Sequence, residues 1–352
     1  MGPMNEPPDI DALRAALHRH LLEDQAKRRR WGEQGPILNI KIDKWGKRIV
    51  AIWNRLLDLP PHVTYHDFLG LYLRMAFGED WWPSESAKSD ESAHQLVLWE
   101  RKLRQFERRH MQGHGLQSAP MRGVISHFYR LAFDLHTIEH QGLLQTSLVK
   151  RLKNPDQFQG ARYEVAVSAA FVRGGFKVRL EKEGKSPDKL CEFVATHSAS
   201  GASYAVEAKS RHLPGVLGRP GQPARARNVE PSVTGLITKA LQKKAEHPRV
   251  ICIDVNVPEA EGSSPPTTWG QVVRAQVNAL EAAGHGPAIL FFTNSPSHYL
   301  GDDDLIRNDA AMIMGLSELR FRPQDAKSVE EQFPGLIRVG NAFSTPVPSN
   351  WE

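Results

Sequence analysis

The chain has 352 residues, of which 40 % are hydrophobic and 24 % charged, so it can bury a sizeable core and is not a disordered polyelectrolyte. Its net charge of +5 and pI near 9.1 permit nucleic-acid binding without requiring it, and both halves share the basic excess. Two cysteines with no C-x-x-C spacing exclude a disulfide framework and a zinc-thiolate site, no apolar run reaches the roughly 20 residues of a membrane span, and the first residues lack the basic and apolar regions of a secretory signal, so a cytoplasmic protein with no membrane partner is expected.

In chain order, the first 150 residues read as an all-α domain. Leu13, Leu17, Leu21 and Leu22 recur near a 3.6-residue period and predict a helix over 11–27. Further helices are predicted over 44–57, ending before Pro60 and Pro61, and over 65–77. The polar stretch 81–92, with Pro83, reads as a loop; helices over 92–111 and 121–140 follow. Six of the eight tryptophans precede residue 100 and suit the core of this half.

The texture then changes. Residues 156–160 read as a linker and 162–173 as a helix stopped by Gly174 and Gly175. Strands are expected over 176–180, 191–196 and 204–209, the last two joined by the polar hairpin loop 197–202. A Gly/Pro/Arg-rich stretch, 213–231, precedes a helix over 233–246. A strand over 249–257, a helix over 269–283, a strand over 288–293 and one more at 319–322 complete the pattern. Consecutive strands predict an antiparallel meander, and alternating helices and strands predict parallel crossovers. The expected architecture is therefore α/β, a mixed sheet flanked by helices over 151–352, preceded by the helical domain over 1–150.

The chemistry concentrates in Tyr204-Ala-Val-Glu-Ala-Lys-Ser210. Alternate side chains of a strand share a face, so Glu207 and Lys209 point one way out of an otherwise apolar strand. A charge in such a strand reaches solvent, finds a partner or binds a metal. Upstream, Asp188 and Glu192 offer further carboxylates. Glu192 shares the face of Glu207 if the hairpin register sets the two opposite, and a one-residue slip breaks this. Asp188 is the alternative, and Glu164 on the preceding helix could approach the same spot. Carboxylates that hold Mg²⁺ beside a lysine suit phosphodiester hydrolysis: the cation acidifies a water, and the ammonium orients that water or the phosphate.

Glu164 on a helix, Ser186-Pro187-Asp188, and Glu207-Ala208-Lys209 on a later strand, in the order helix, three strands, helix, strand, resemble the PD-(D/E)XK nuclease superfamily over residues 158–295. The resemblance implies a restriction-endonuclease-like core and a metal-dependent endonuclease acting on DNA, with RNA as a further substrate class, in bacterial restriction, defence or repair. It implies Mg²⁺ or Mn²⁺ held by Asp188 or Glu192, by Glu207 and by Glu164, with Lys209 assisting hydrolysis. Gln242, beside Lys239 and Lys243, is similar to the supporting glutamine of some members. Arg225 and Arg227, in the Gly/Pro-rich stretch, are candidates to close on nucleic acid together with Lys239, Gln242 and Lys243. The helical half is left to recognise substrate, to bind a partner protein or to form a homodimer. A non-catalytic adaptor that keeps the fold is the competing class, and the absence of a Walker motif excludes an ATP-driven motor within this chain.

Plainer readings stand beside these. Glu207 and Lys209 can form a surface ion pair on an edge strand, Asp188 a turn after proline, and Glu164 and Glu192 solvent-facing charges. His136 and His140 sit at i and i+4 but lack a third ligand, which favours packing. Asp302, Asp303 and Asp304 suit a helix N-terminus better than a calcium loop. The basic run Arg101–Arg109 is either a solvated helix face or a track for phosphates.

Overall fold

A computed structural model describes residues 10–42, 46–110, 123, 125–181, 190–212, 231–257, 267–295, 310–316 and 326–351. The chain is mixed α/β. Its first half holds α1 (Ile10–Trp31), the antiparallel sheet β1 (Asn39–Ile42), β2 (Lys47–Ile52) and β3 (Arg55–Leu59), then α2 (Tyr65–Phe77), α3 (Trp81–Ser86), α4 (Gln95–His110), α5 (Ile125–His140) and α6 (Thr146–Lys153). After α7 (Pro155–Arg173) come β4 (Phe176–Leu180), β5 (Phe193–His197), β6 (Ser203–Ser210), α8 (Thr234–Leu241), β7 (Arg249–Asp254), α9 (Thr267–Ala282), β8 (Ala288–Asn294), β9 (Ala310–Leu316), α10 (Ala326–Gln332) and α11 (Leu336–Ser344).

Three expectations for the first half are corrected. It is not all-α, because the helix expected over 44–57 is instead the β2–β3 hairpin, in which Ile52 pairs with Arg55. Val50 and Ile52 point into the core while Ile49 and Ala51 are half-covered, the alternation of a strand with one buried face. The stretch read as a loop after residue 81 begins with the short helix α3. The supposed linker 156–160 lies inside α7, whose start is set by Asn154: its side chain accepts from the Asp156 amide at 2.9 Å, with Pro155 in the first turn. Helix α2 falls where the periodicity predicts it and opens with a capping box between Thr64 and Asp67.

Helix α7 is apolar on two sides. Phe158, Ala161, Val165 and Ala169 belong to the core of the first half, and Tyr163, Val167, Ala170 and Phe171 pack on the large sheet. Each set recurs every three or four residues, so one helix serves two cores. At its C-terminal end the buried Arg173 donates to Asp134 of α5 at 2.7 Å and lies over the Phe133 ring. The chain's last turn returns to the first half as well: Trp351 packs against Tyr65 and Phe68, lies under Arg48, and donates from Nε1 to the Val63 carbonyl at 3.0 Å.

The large sheet has the order β4-β5-β6-β7-β8-β9. Strands β4, β5 and β6 form the antiparallel meander expected, β6–β7 and β7–β8 pair parallel across α8 and α9, and β9 closes the edge antiparallel. The strand expected at 319–322 lies outside the described residues. β7 and β8 read as near-continuous apolar runs because both faces are covered. One face meets α7 and α11 through Tyr204, Val206, Cys252 and Phe291, and the other meets α8 and α9 through Ile251, Ile253, Leu290 and Phe292.

Candidate functional site

Strand β6 carries the site. Its parallel register sets Glu207 beside Ile251 and Lys209 beside Ile253, so both charged residues face α8 and α9, whereas Val206 faces α7. On the other side of β6, Phe193 pairs with Val206, and one further step of that register sets Glu192 opposite Glu207. The two carboxylates thus meet on one face of neighbouring strands. An isolated bridge between Leu190 and Lys244 brings the segment just after α8 alongside.

Lys243, in that segment, joins the two acids. Its Nζ is 3.1 Å from Glu192 Oε1 and 2.8 Å from Glu207 Oε1. Lys209 makes an ion pair with the same oxygen of Glu207. Glu207 has 0 % exposure, and among the described residues its Oε2 has no hydrogen-bond partner. Such a carboxylate is costly to keep charged. Burial, and then the Glu192 charge, push the Glu207 carboxyl up from its ordinary range, while Lys209 and Lys243 act against them. Burial alone would lower the Lys243 ammonium, but Glu207 and Glu192 outweigh it and leave that group raised. Cys191, next to Glu192, is raised to about 11 by burial and then by Glu207. The Arg249 guanidinium donates to the Lys243 carbonyl at 2.9 Å, which fixes the backbone that carries the bridging lysine.

The predicted residues divide accordingly. Glu192, Glu207 and Lys209 come together. Lys243, expected on a nucleic-acid face, is a member of the cluster itself. Lys239 on α8 and Gln242 at its C-cap are exposed. Glu164 takes a hydrogen bond from Arg151 at 2.6 Å, and α7 covers the face opposite Glu207; it is that ion pair, not the cluster, that the structure gives it. Asp188, Arg225 and Arg227 lie outside the described residues, as do Asp302, Asp303 and Asp304. Among the described residues no group of three or more His, Cys, Asp or Glu side chains is arranged to hold a metal; the cluster supplies two carboxylates. His136 is buried against Phe68 and Tyr72, with its ring stacked 6.0 Å from that of His140, as the packing reading expects.

Sequence reasoning did not single out Arg249 or Cys191. Nor did it find the polar group across the sheet under α7, where Asp254 accepts from Arg162 at 3.2 Å and from Ser210 at 3.4 Å, and Tyr163 bonds Thr293 at 2.9 Å. Strand alternation in 249–254 marks Asp254 as facing the side opposite Ile253, but the partner on α7 is fixed only by the tertiary fold. No protein-family model, curated protein or solved structure matches the chain.

Proposed function

We propose that the chain is a metal-dependent nuclease of the PD-(D/E)XK type, with Glu192, Glu207 and Lys209 at the centre of its active site and DNA as its substrate. The observation that carries the reading is the meeting of Glu192 and Glu207 on one face of adjacent strands, with Lys209 and Lys243 at the same oxygen of a fully buried carboxylate. The element order α7-β4-β5-β6-α8-β7 and its strand pairing support a restriction-endonuclease-like core.

The donor set suits a hard divalent cation, because two carboxylates offer oxygens and, among the described residues, no group hydrogen-bonds Glu207 Oε2. Glu192 and Glu207 would hold Mg²⁺ or Mn²⁺, with Asp188 as the alternative acid from the resemblance. The chemistry that ion supplies when bound is a more acidic water and relief of charge building on phosphate oxygens. Lys209, Glu192 and Lys243 have side chains 24, 22 and 19 % exposed and open the cluster to solvent, where Lys209 orients the water or the phosphate. Lys243 holds the two acids together when no cation does so. The setting this implies, restriction, defence or repair, follows from the resemblance alone.

Cleavage of plasmid and linear DNA with Mg²⁺ or Mn²⁺ tests the reading, comparing the wild type with Glu207→Gln and Lys209→Ala. Loss of one positioned electrostatic group is expected to slow cleavage by about 100-fold or more in each folded variant. Variants that cut like the wild type remove Glu207 and Lys209 from the chemistry. The second reading, a non-catalytic adaptor that keeps this sheet, is favoured by one observation: two ammonium groups already neutralise Glu207. On that reading neither metal raises the melting temperature, whereas a bound cation raises it by mass action.

A further inference from the structure

We propose that the groove between α4 and the turn after α3 is a binding site for the phosphate backbone of a nucleic acid, separate from the Glu192–Glu207 cluster. It is an open groove of about 590 Å³ in the first half of the chain. Arg74, Lys88, Arg101, Arg104 and Arg108 line it, against two carboxylates, Asp90 and Glu100. The site goes beyond the cleavage reading and does not depend on it.

The arrangement follows from one helix. Leu96, Trp99 and Leu103 bury one side of α4, and the buried Val97 forms part of the groove's floor. Arg101, Arg104 and Arg108, at i, i+3 and i+7, fall within one narrow arc of its other side. They span about 10 Å at 1.5 Å per residue. A nucleic-acid strand advances about 3.4 Å per phosphate, so the row matches about three successive charges. Carboxylates pair with these cations and hold them in place, Lys88 with Glu85 at 2.6 Å and Arg104 with Glu107 at 3.1 Å among them. The mostly buried Glu100 pairs with Arg74 from α2 and lies 3.7 Å from Arg104, which holds both guanidinium groups at the groove. Arg101 pairs with Asp90 and donates to the Ser86 and Lys88 carbonyls at 3.0 and 2.6 Å, which fixes the opposite wall and places Lys88 on it. The groove continues past Arg74 and Arg104 into a second depression of about 160 Å³, lined by Asp67, Glu100 and Glu107 with His66 and the buried Phe128 and Tyr129, which ends the basic row on that side. A row of three arginines with a lysine facing it suits a chain of phosphates better than a single small anion.

The test is the salt dependence of binding a fluorescent DNA duplex, read by anisotropy in EDTA so that no cleavage enters. Each phosphate neutralised contributes about 0.9 to the slope of log K against log salt. The wild type is expected to show a slope near −3. Arg104→Ala/Arg108→Ala is expected to lower its magnitude by about 2, so that from 50 to 200 mM salt the wild type loses about tenfold more affinity than the variant. Lys88→Ala, on the other wall and outside α4, is expected to lower it by about 1 and guards against a folding defect in the double variant. Lys150→Ala, exposed on α6, is expected to leave the slope unchanged. Variants whose slope and affinity match the wild type, or a wild type that binds no duplex, single strand or RNA at low salt, overturn the proposal. So does equal competition by polyglutamate, which would make the groove an acidic-peptide site. Since binding is read without metal, a chain that binds through this groove but never cuts overturns the nuclease reading alone.

Discussion

Asp134→Ala is the most demanding test of how the two halves are joined. Arg173 ends the helix that serves both cores, and its guanidinium is buried, with the side chain 1 % exposed and that of Asp134 3 % exposed. Burial lowers the Arg173 pKa and Asp134 offsets this, so the guanidinium stays charged and depends on that carboxylate. Arg130, 3.5 Å from Asp134, keeps other acceptors in the carbonyls of Ala342, Phe343 and Thr345. Among the described residues, Arg173 is left with the Phe133 ring at 5.0 Å, a far weaker partner. Removing one member of a buried pair costs about 3–5 kcal/mol. With an unfolding entropy of about 2.1 cal/mol/K per residue, 352 residues unfolding as one unit give about 0.7 kcal/mol/K, hence a fall in Tm of about 4–7 °C. Calorimetry and urea titration measure it. The double variant Asp134→Leu/Arg173→Met removes both charges and is expected to return to within about 1 kcal/mol of the wild type. The reasoning is refuted if the single variant loses less than about 1 kcal/mol, or if the double variant is as weak as the single.

Two further expectations concern pH. His136 and His94 are lowered to about 3 and about 4, chiefly by burial, so the unfolded chain takes up protons below pH 6.5 while the folded chain does not. Stability is therefore complete above pH 6.5 and falls as the pH drops, by about 2 kcal/mol per ring at pH 5. Urea unfolding at pH 7 and pH 5 reads this, and His136→Phe is expected to remove about 2 kcal/mol of the loss, the share of one ring; a flat profile would sink the assignment. Glu207 is shifted the other way. With its carboxyl raised, the folded chain binds more protons than the unfolded one above the ordinary carboxylate range, so its contribution is present at acid pH and is lost as the pH rises. The stability of Glu207→Gln relative to the wild type is therefore expected to increase from pH 4 to pH 7, and a constant or falling difference contradicts the raised carboxyl.

What could be read from the residues depended on how unambiguous their period is. In 204–209 strict alternation separates Glu207 and Lys209 from Val206, and β6 bears this out. In 44–57 the apolar residues Ile49, Val50, Ile52, Trp53, Leu56 and Leu57 satisfy a helical period as readily as two short strands. The turn that decides the matter, at Trp53 with φ +50°, carries no glycine to mark it. The meeting of Glu192 and Glu207 was legible only as a condition on register, and the register is set by packing across the sheet. Lys243 was legible only as one cation in a basic run, because the crossover that carries it back over β6 is a property of the whole fold. For the same reason 156–160 resembles a linker: its apolar Phe158 faces a core formed by residues far earlier in the chain.

The seat of Trp351 among Tyr65, Phe68 and Arg48 has a consequence for how the protein is made. Synthesis proceeds from the N-terminus, and the aromatic core of the first half gains that ring only once residue 351 has left the ribosome. Until then the site on Tyr65 and Phe68 stands open, and the nascent first half is held short of its final packing while nearly 300 residues are added behind it. A chain cut short before residue 351 would lack that ring and carry the open seat on Tyr65 and Phe68 forward.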